Sequence, residues 1–553
     1  MTVQNLMTNR VVHPLGRALP HLRLSYTVEA EGDKVQAAAR VVVALDAGMQ
    51  SVVFDSGRDA GINSLCFVPD LCLKPRTRYF WQVEVWGDAG GHAVSDLAWF
   101  ETGKRDEPWQ AQWIGADLPG NQNVFKDIEL TKPVRSARAY ACGVGLYELY
   151  INGNKAGDEF LAPHYNAYDQ WLQVQTLDVT DCLKPGVNRV LAMLGDGWYK
   201  GRFGFRGQTA LYGEQQAFLM ELHVSYADGE EACFVTDLSW QAEESRVRFA
   251  NIYDGEVYDA TFEPSGAHPV QAVDLGYDRL TDRLSLPVVI AERIAPKEIL
   301  TTPAGETVLD LGQEITGWLE FRTAAPRGTK LHLMYGEILQ HGNFYNENLR
   351  SAKAEFTYVC DGGETAVRPH FTFYGFRYVK LEGFDGAKLS DFAGCVVHSD
   401  LRRAGWLTTD HAKVNRLILN ALWGQRGNFL DVPTDCPQRD ERMGWTGDAQ
   451  AFSGTACFNM DCAAFFEKYL HDMRLEQIKL DGAVPHVVPK VGLPGEASCA
   501  WADAATIIPW TVYTFYGDKQ LLSQQYPLMR DWADWLYRND EAHGATRLWH
   551  NGF

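Results

Sequence analysis

The sequence predicts a multi-domain protein in which β-sandwich domains precede an all-α domain. At 553 residues, with 46% hydrophobic and 12% aromatic residues, the chain can bury several cores, and this length suggests about three to five domains. Short alternating apolar runs, separated by Gly, Asp and Pro, fill roughly the first 400 residues, as is typical of strands. After about residue 405 the apolar spacing changes to that of a helix.

The first β domain, residues 1–106, is predicted to be a fibronectin-type sandwich. The runs RVVVAL (40–45) and RYFWQVEVW (78–86) alternate and are bounded by turn residues. The segment PWQAQWIGAD (108–117) looks like a linker into the next unit. These signals place the first boundary near residue 106.

Two further β domains are predicted, a jelly-roll-like sandwich over 107–287 and another sandwich over 288–404. ARAYACGVGLYELYING (137–153) contributes strand-like runs to the first of them. KLHLMYGEIL (330–339) contributes a strand-like run to the sandwich predicted over 288–404.

The remaining segment, 405–553, is predicted to be helical. Thr409 or Asp410 can cap a helix whose apolar residues follow at helical spacing. Further helical stretches are expected over about 447–476, 500–516 and 519–538. Successive long helices predict an all-α domain.

Composition excludes several functions. A net charge of −20 argues against nucleic acid and anionic membranes as partners.

The N-terminus lacks a basic leader with an apolar core. No apolar stretch reaches the roughly 18 residues that span a bilayer, so a cytoplasmic location is expected. Eleven cysteines without paired CxxC spacing, and histidines without an HExxH motif, predict no metal and no cofactor. A neutral small molecule is the expected substrate.

The most informative segment is 431–450, DVPTDCPQRDERMGWTGDAQ, which reads as a loop leading into a helix. It combines five carboxylates and two arginines with one tryptophan. Carboxyl groups move protons and hold hydroxyls, arginine fixes carboxylate geometry, and an aromatic face lies against the C–H side of a sugar. The segment therefore indicates sugar chemistry, against the alternative of a solvated charged loop.

The string DxPTDCPQRDERxGWTGDAQ resembles the signature of the bacterial α-L-rhamnosidases of glycoside hydrolase family 78. The resemblance runs from about residue 110 to the last residue, and more loosely before that. It also includes five segments in the same order, WYKGRFGF (198–205), GEVYDA (255–260), DLGQEITGW (310–318), NENLRSAKAEFTY (346–358) and HFTFYGFRYV (370–379).

The resemblance implies an (α/α)6-barrel catalytic domain and an exo-acting α-L-rhamnosidase that removes terminal rhamnose from flavonoid or other plant glycosides. It implies inversion by single displacement, with Glu441 as the general acid. The positions that match sugar-binding residues of the family are Asp435, Arg439, Trp445, Asp448, Trp501 and Trp549. Asp503 is a further residue that could face the pocket.

Only about four long helices are visible before Phe553, so the barrel is expected to be present only in part. The family's general base, a Glu, would lie beyond Phe553. Asp435, Asp448, Asp503 or a carboxylate from a partner chain would have to replace it. Uncovered helix faces favour a homodimer if the chain ends here.

Other readings of the sequence remain. Cys436 beside Asp435 could be a nucleophile, although a structural thiol is the favoured interpretation. A different class of protein is a non-catalytic carbohydrate-binding protein with an incomplete catalytic domain. Turnover of a chromogenic rhamnoside separates an enzyme from a binder.

Overall fold

A computed structural model describes residues 1–30, 32–204, 207–492 and 495–549. Strands occupy the chain up to Ser399, and long helices follow from Ala412. The predicted order of strand-rich domains followed by a helical domain is confirmed. Within the described residues, no helix combines the length and apolar character needed to cross a membrane.

The first β domain contains a twisted antiparallel sheet in the order β4-β3-β5-β6, with β7 also paired to β5 and a separate β1-β2 pair. Its strands alternate buried and exposed residues, and Trp81 and Phe100 lie in a core of their own. The strands are β1 (Thr2–Thr8), β2 (Leu24–Glu29), β3 (Gln36–Ala44), β4 (Val52–Asp55), β5 (Arg78–Gly87), β6 (His92–Val94) and β7 (Ala98–Glu101).

The second β domain is a sandwich of two sheets. The strands from 107 to 246 and from 268 to 287 are β8 (Ile114–Gly115), β9 (Gln122–Leu130), β10 (Val134–Val144), β11 (Leu146–Ile151), β12 (Asn154–Lys155), β13 (Leu172–Asp178), β14 (Gly186–Gly195), β15 (Ala217–Tyr226), β16 (Glu231–Val235), β17 (Gln241–Glu244), β20 (His268–Pro269), β21 (Gln271–Ala272) and β22 (Leu280–Asp282), with the short helix α1 (Gly197–Lys200) after β14. One sheet has the order β21-β8-β15-β10-β13-β22 with β16 on β15, and the other has the order β12-β11-β14-β9-β17-β20. Their facing apolar residues form a core between the sheets.

The strands of the third sheet are β18 (Val247–Asn251), β19 (Gly255–Asp259), β23 (Val288–Ile294), β24 (Glu298–Thr301), β25 (Thr307–Thr323), β26 (Lys330–Gly336), β29 (Glu355–Val359), β30 (Thr365–Val367), β31 (Tyr374–Glu382) and β32 (Phe392–Ser399). The sheet has the order β18-β19-β29-β26-β31-β25-β32-β23, with β24 and β30 on β25. A small hairpin of β27 (Ile338–Gln340) and β28 (Asn343–Tyr345) projects from it. Because β19 pairs in parallel with β29, the 107–287 segment contributes two strands to the third sheet.

The helices of the last domain are α2 (Ala412–Asn428), α3 (Thr446–Asn459), α4 (Ala463–Lys479), α5 (Ala504–Tyr516) and α6 (Lys519–Ala542), and a two-residue pair of β33 (Phe429–Leu430) and β34 (Val432–Pro433) follows α2. The predicted cap of α2 is wrong, because His411 holds that position and the Thr409 hydroxyl bonds Asn415 instead. The stretch predicted over 447–476 is two helices, interrupted at Met460.

The largest apolar core is shared between domains. It runs from Tyr165 and Trp198 of the second β domain, through Phe373 of the third sheet, to Met443 and Tyr469 of the helical domain. A core that crosses domain boundaries fixes their relative position. The 431–450 segment lies at this junction.

Candidate active site

The loop from Thr434 to Trp445, between β34 and α3, is folded on itself. The Asp435 N–H donates to the Met443 carbonyl at 3.2 Å and the Glu441 N–H donates to the Arg439 carbonyl at 2.9 Å. The loop also lies directly on the third sheet, since a Cβ added to Gly375 would come within 2.8 Å of Pro437. The loop therefore holds its charged side chains at fixed positions.

Arg442 is the buried anchor of this loop. It is 1% exposed, and its guanidinium donates to the carbonyls of Ile252 at 2.7 Å, Phe373 at 2.6 Å and Gln438 at 3.0 Å. Burial lowers its pKa to about 10. Arg442 thus ties the loop to the third sheet, through Ile252 between β18 and β19 and Phe373 just before β31, and it is not available to a ligand.

Glu441 accepts hydrogen bonds at both carboxylate oxygens. Arg350 Nη2 lies 2.6 Å and Arg439 Nε 2.8 Å from Oε2, and Trp445 Nε1 donates to Oε1 at 3.1 Å. The Tyr253 hydroxyl donates to the Glu441 carbonyl at 2.7 Å. The side chain is 8% exposed, and its direction is fixed by three donors, Arg350, Arg439 and Trp445.

Asp435 shares Arg439 with Glu441. Arg439 Nη2 donates to Asp435 Oδ2 at 3.1 Å, and the Met443 N–H donates to Oδ1 at 3.2 Å. Burial, with the nearby charge of Glu441, raises the pKa of Asp435 to about 6. One guanidinium therefore fixes the positions of two carboxyl groups, those of Asp435 and Glu441.

A cavity of about 410 Å³ opens beside the cluster, and Asp435 and Asp448 lie on its wall with Gln425 and Asn428 of α2. Asp448 is exposed in the first turn of α3, where carboxylates are favoured by the helix dipole. Desolvation raises its pKa, and the charge of Glu441 adds to the shift. Two of the predicted sugar-binding acids thus face one cavity.

Trp445 and Trp501 meet the same turn of α3. Trp445 is the residue before the helix, and its ring is half-buried. Trp501 packs on Gly447, where an added Cβ would come within 2.6 Å of the indole ring. The structure therefore brings both tryptophans to the edge of the carboxylate cluster.

Trp549 and Asp503 have other surroundings. The Trp549 ring lies 6.5 Å from the ring of Trp535 on α6, and Trp549 lines a separate surface depression with Tyr537. The Asp503 carboxylate accepts a hydrogen bond from Trp532 Nε1 at 3.1 Å. The structure does not bring either side chain to the Glu441 cluster, so the predicted role of Trp549 finds no support in this geometry.

Arg350 is a site residue that the sequence reasoning missed. It lies just before β29 in the third β domain, and besides Glu441 it contacts Asp440, whose Oδ1 is 2.7 Å from Arg350 Nε. The adjacent Ser351 hydroxyl also bonds Asp440. Arg350 lies in the NENLRSAKAEFTY segment, 346–358, so the family resemblance marks this segment, but a sequence alone does not show that it contacts the 431–450 motif.

Asp431, the first acid of the motif, has a structural position. It is 2% exposed, and its Oδ2 accepts from Lys468 Nζ and from the Tyr165 N–H, each at 2.9 Å. Lys468 also pairs with Asp472 at 3.1 Å. This buried ion-pair group holds the helical domain against the second β domain.

Cys436 lies in the cluster, and its Sγ and the carboxylate oxygens of Asp435 and Glu441 are all within 4.8 Å of one another. Such a group resembles a metal-ligand set, but the guanidiniums of Arg350 and Arg439 already neutralise it. Burial raises the pKa of the Cys436 thiol far above its usual range. A protonated thiol is a poor nucleophile and a poor ligand, which favours a structural role.

Four family models match consecutive parts of the chain. Residues 3–106 match the Rha78A-like N-terminal immunoglobulin domain, and 132–292 match the α-L-rhamnosidase N-terminal domain. Residues 300–398 match the bacterial α-L-rhamnosidase concanavalin-like domain, and 402–552 match the bacterial α-L-rhamnosidase six-hairpin glycosidase domain.

Relatives named α-L-rhamnosidase are similar over most of the chain. One from Streptomyces avermitilis is 38% identical over 425 residues, which are 74% of this chain and 41% of the relative. Another from Formosa agariphila is 34% identical over 492 residues, 83% of this chain and 53% of the relative. The chain therefore spans about half the length of these two relatives.

Two solved structures have the same fold. The α-L-rhamnosidase of S. avermitilis in complex with L-rhamnose has a TM-score of 0.91 and 29% identity, covering 97% of this chain and 71% of that one. The native α-L-rhamnosidase of Aspergillus terreus has a TM-score of 0.90 and 31% identity, and the match covers 96% of this chain and 65% of that one.

With strand-rich domains ahead of a domain matched to a six-hairpin glycosidase, the chain falls in the class of multi-domain glycoside hydrolases. Each of its four segments matches a rhamnosidase domain model, and its relatives carry the same name. The chain belongs to the bacterial α-L-rhamnosidase family, glycoside hydrolase family 78.

Proposed function

We propose that this protein hydrolyses terminal α-L-rhamnosides and that Glu441 donates the proton to the leaving oxygen. The observation that carries the proposal is the fixed Glu441 carboxyl, which is held by Arg350, Arg439 and Trp445 and has an oxygen within 4.8 Å of a carboxylate oxygen of Asp435, a residue that lines the 410 Å³ cavity. A rigid carboxyl beside an accessible cavity is suited to general acid catalysis, which contributes roughly 10²- to 10⁴-fold to a rate.

The other residues would hold the sugar ring. Asp435, Arg439 and Asp448 present charged hydrogen-bonding groups next to the cavity, which suits hydroxyl recognition. Trp445 and Trp501 present aromatic surface suited to the C–H face and methyl group of rhamnose. The related S. avermitilis enzyme, solved with L-rhamnose, supports this choice of sugar. Flavonoid and other plant rhamnosides are the proposed substrates.

Inversion by single displacement is the proposed stereochemical course, and it places a constraint on the base. The acid and base of an inverting pair lie about 6.5–9.5 Å apart, leaving room for water. The Asp435 and Glu441 carboxylate oxygens lie within 4.8 Å of each other, and Arg439 bridges them. Asp435 is therefore a sugar-binding residue in this proposal, and the base is a different carboxylate.

The test is hydrolysis of p-nitrophenyl α-L-rhamnoside by Glu441→Gln. The amide keeps the size of the side chain but cannot donate the proton, so kcat should fall about 10²-fold or more. The matched control is Glu320→Gln, which removes a carboxylate from an exposed pair with Arg293 and should leave kcat unchanged. Retention of wild-type kcat by Glu441→Gln would contradict the assignment.

A non-catalytic rhamnose-binding protein is the second candidate, because the acids that line the 410 Å³ cavity, Asp435 and Asp448, could hold sugar hydroxyls without hydrolysing the sugar. Measurement of rhamnose binding beside turnover distinguishes the two functions. A hydrolase loses turnover in Glu441→Gln and keeps binding, whereas a binder has no turnover in either protein.

A further inference from the structure

The segment WYKGRFGF (198–205) belongs to the second β domain and carries none of the residues of the Glu441 cluster. It begins within α1, and the structure describes it as far as Gly204. Two of its residues nevertheless contact groups that hold Glu441 in place. Arg202 reaches them through its side chain, and Gly204 reaches them through its backbone N–H.

Arg202 is fixed by a carboxylate and in turn fixes Ser351. Its Nη2 donates to Asp254 Oδ1 at 2.7 Å and its Nε donates to Asp254 Oδ2 at 3.2 Å, which is a bidentate pair. The third nitrogen, Nη1, donates to the Ser351 hydroxyl at 2.9 Å, and Nη2 also donates to the Ser351 carbonyl at 3.1 Å. A guanidinium of the second β domain therefore sets the position of a residue just before β29 of the third.

Ser351 connects Arg202 to the acids of the loop, because a hydroxyl can accept one hydrogen bond and donate another. The Ser351 hydroxyl donates to Asp440 Oδ2, and the Ser351 N–H donates to the same oxygen at 3.3 Å. The other oxygen, Asp440 Oδ1, lies 2.7 Å from Arg350 Nε, and Arg350 Nη2 lies 2.6 Å from Glu441 Oε2. The contacts that begin at Arg202 thus end at the Glu441 carboxylate.

A second set of contacts reaches the backbone of Glu441. The Gly204 N–H donates to the hydroxyl of the fully buried Tyr253 at 2.9 Å, and that hydroxyl donates to the Glu441 carbonyl at 2.7 Å. Gly204 has a φ of 78°, a conformation that favours glycine, so the direction of its N–H depends on this residue type. Burial raises the pKa of the Tyr253 hydroxyl, which therefore keeps its proton and remains a donor.

We propose that Arg202 and Tyr253 position Glu441 for proton donation, Arg202 through the carboxylate and Tyr253 through the backbone carbonyl. The two sets of contacts act at opposite ends of one residue, so together they fix where its carboxyl group lies and which way it points. Neither Arg202 nor Tyr253 lines the 410 Å³ cavity, so both are positioning residues. The inference rests on the proposed role of Glu441 as the proton donor.

A positioning role predicts an effect that depends on the leaving group. A misplaced general acid slows the departure of a basic alkoxide, which has to be protonated, more than the departure of a stable phenolate, which leaves without a proton. Damage to the fold or to sugar binding slows both substrates by the same factor. The ratio of kcat/KM for the two kinds of substrate therefore reports the position of the acid.

The experiment measures kcat and KM of Arg202→Met with benzyl α-L-rhamnoside and with 2,4-dinitrophenyl α-L-rhamnoside. With the benzyl substrate kcat should fall about tenfold, the effect of losing a hydrogen bond to a charged group, and with the dinitrophenyl substrate it should fall less than about threefold. Arg248→Met is the matched control, because the Arg248 side chain is 27% exposed against 23% for Arg202 and pairs with Glu244 at 3.0 Å. It should leave both rates unchanged.

Tyr253→Phe tests the second set of contacts, because it removes the hydroxyl and keeps the buried ring. It should lower the benzyl-to-dinitrophenyl ratio about fivefold, the effect of one neutral hydrogen bond. Tyr516→Phe is its control, since the buried Tyr516 hydroxyl likewise accepts from a backbone N–H, that of Cys462 at 2.8 Å, and donates to a carbonyl, that of Met460 at 2.9 Å. Thermal unfolding identifies the variants that are folded at the assay temperature.

A wild-type ratio in both Arg202→Met and Tyr253→Phe would overturn the inference and leave hydrolysis at Glu441 intact. Equal shifts of the ratio in Arg202→Met and Arg248→Met would also overturn it, because the effect would then follow from the loss of any such ion pair. Absence of turnover in the wild type, or wild-type kcat in Glu441→Gln, would instead overturn the proposed function and this inference with it. The two proposals therefore fail in different measurements.

Discussion

Arg350 shows how one side chain from a β domain can belong to a site on the helical domain. It reaches across 91 positions of sequence to Glu441 and also pairs with Asp440. Two acids with like charge are thereby held side by side. The orientation of the proposed proton donor depends on a residue outside its own domain.

Replacement of Arg350 by Met should lower kcat for p-nitrophenyl α-L-rhamnoside about 10- to 100-fold, because a charge-assisted hydrogen bond contributes about 1.5–3 kcal/mol. Met keeps much of the aliphatic length, so folding should be retained. Arg293→Met removes a comparable Arg–Glu pair on the surface and should change kcat less than twofold, an effect of about 0.4 kcal/mol. Equal effects of the two substitutions would show that Arg350 has no special role.

For individual residues, the sequence predicts which side chains of the 431–450 motif lie close together, but it does not predict their contacts with residues far away in the chain. Asp435, Arg439, Glu441 and Trp445 lie within eleven positions of one motif, so their proximity follows from the short loop. The Arg350 contact depends on how the third sheet docks, which a single sequence does not reveal. Trp549 was assigned by resemblance alone, and its observed neighbour is Trp535.

The position of the loop from Thr434 to Trp445 depends on the third sheet, against which it packs. Gly375 in β31 contacts the loop directly, because an added Cβ would lie 2.8 Å from Pro437 and 2.9 Å from Gln438 Cβ. Gln438 precedes Arg439, the residue that bridges Asp435 and Glu441. A small displacement of Gln438 would therefore move Arg439 and, with it, the carboxyl groups of Asp435 and Glu441.

Gly375→Ala should therefore lower kcat and destabilise the fold by about 1–3 kcal/mol, as expected for overpacking. Gly454→Ala in α3 is the control, since an added Cβ there meets nothing within 4 Å. It should be stabilising by up to about 1 kcal/mol because Ala favours helix. Urea denaturation measures the stability of both variants, and steady-state kinetics measures their kcat. An unchanged kcat in Gly375→Ala would show that overpacking at Gly375 does not disturb Asp435 and Glu441.

An acidic pair in the third β domain adjoins the same loop. Glu314 of β25 hydrogen-bonds Glu337, which also accepts from Asn348 Nδ2 at 2.7 Å and from the Gln438 amide. Burial, with the charge of Glu337, raises the pKa of Glu314 to about 9. Near neutral pH the folded protein thus holds a proton between these carboxyls.

The sign of the pH effect follows from this proton. Between the ordinary glutamate pKa of 4.5 and about 9, the folded state binds a proton that the unfolded state releases, so stability falls as pH rises. Glu314→Gln should remove that fall and gain up to a few kcal/mol at pH 8.5, at about 1.4 kcal/mol per pKa unit. Denaturation midpoints of the wild type and of Glu314→Gln at pH 5, 7 and 8.5 measure how the stability of each protein depends on pH. The same pH slope in the variant and the wild type would contradict the shared proton.

Element boundaries were predictable only where the signal was local. The periodicity over 447–476 correctly indicated helix but gave no sign of the break at Met460. There Met460 bridges to Arg403, and the Asp461 N–H donates to the Arg402 carbonyl at 2.9 Å. The partners that interrupt the helix lie more than fifty positions away, beyond the reach of a sequence window.

At the scale of the molecule, a buried group of charges joins the first β domain to the helical domain. Glu467 of α4 pairs with Arg17 at 3.1 Å and Arg23 at 2.8 Å, and Arg23 also pairs with Asp518 at 3.0 Å. Although burial opposes it, the two guanidiniums hold the pKa of Glu467 below its ordinary value. The interface between the first β domain and the helical domain therefore buries two guanidiniums and two carboxylates that balance one another in charge.

Glu467→Gln should destabilise the protein by about 3–5 kcal/mol, because it leaves buried guanidiniums without a counter-charge. Glu292→Gln, which removes an exposed partner of Arg426, should cost at most about 1 kcal/mol. Thermal unfolding with limited proteolysis of the first β domain checks both the size and the location of the effect. A Glu467 variant as stable as the Glu292 variant would disprove the role of this interface.

The same charges impose an order on biosynthesis. Arg17 and Arg23 leave the ribosome 450 and 444 residues before Glu467, an interval of roughly 20 to 90 seconds at about 5–20 residues per second. During that time neither guanidinium has Glu467 as a partner, although the first β domain has a hydrophobic core of its own. The ion pairs that dock the first β domain can therefore form only after α4 has been synthesised, so this contact is made later than the fold of the first β domain itself requires.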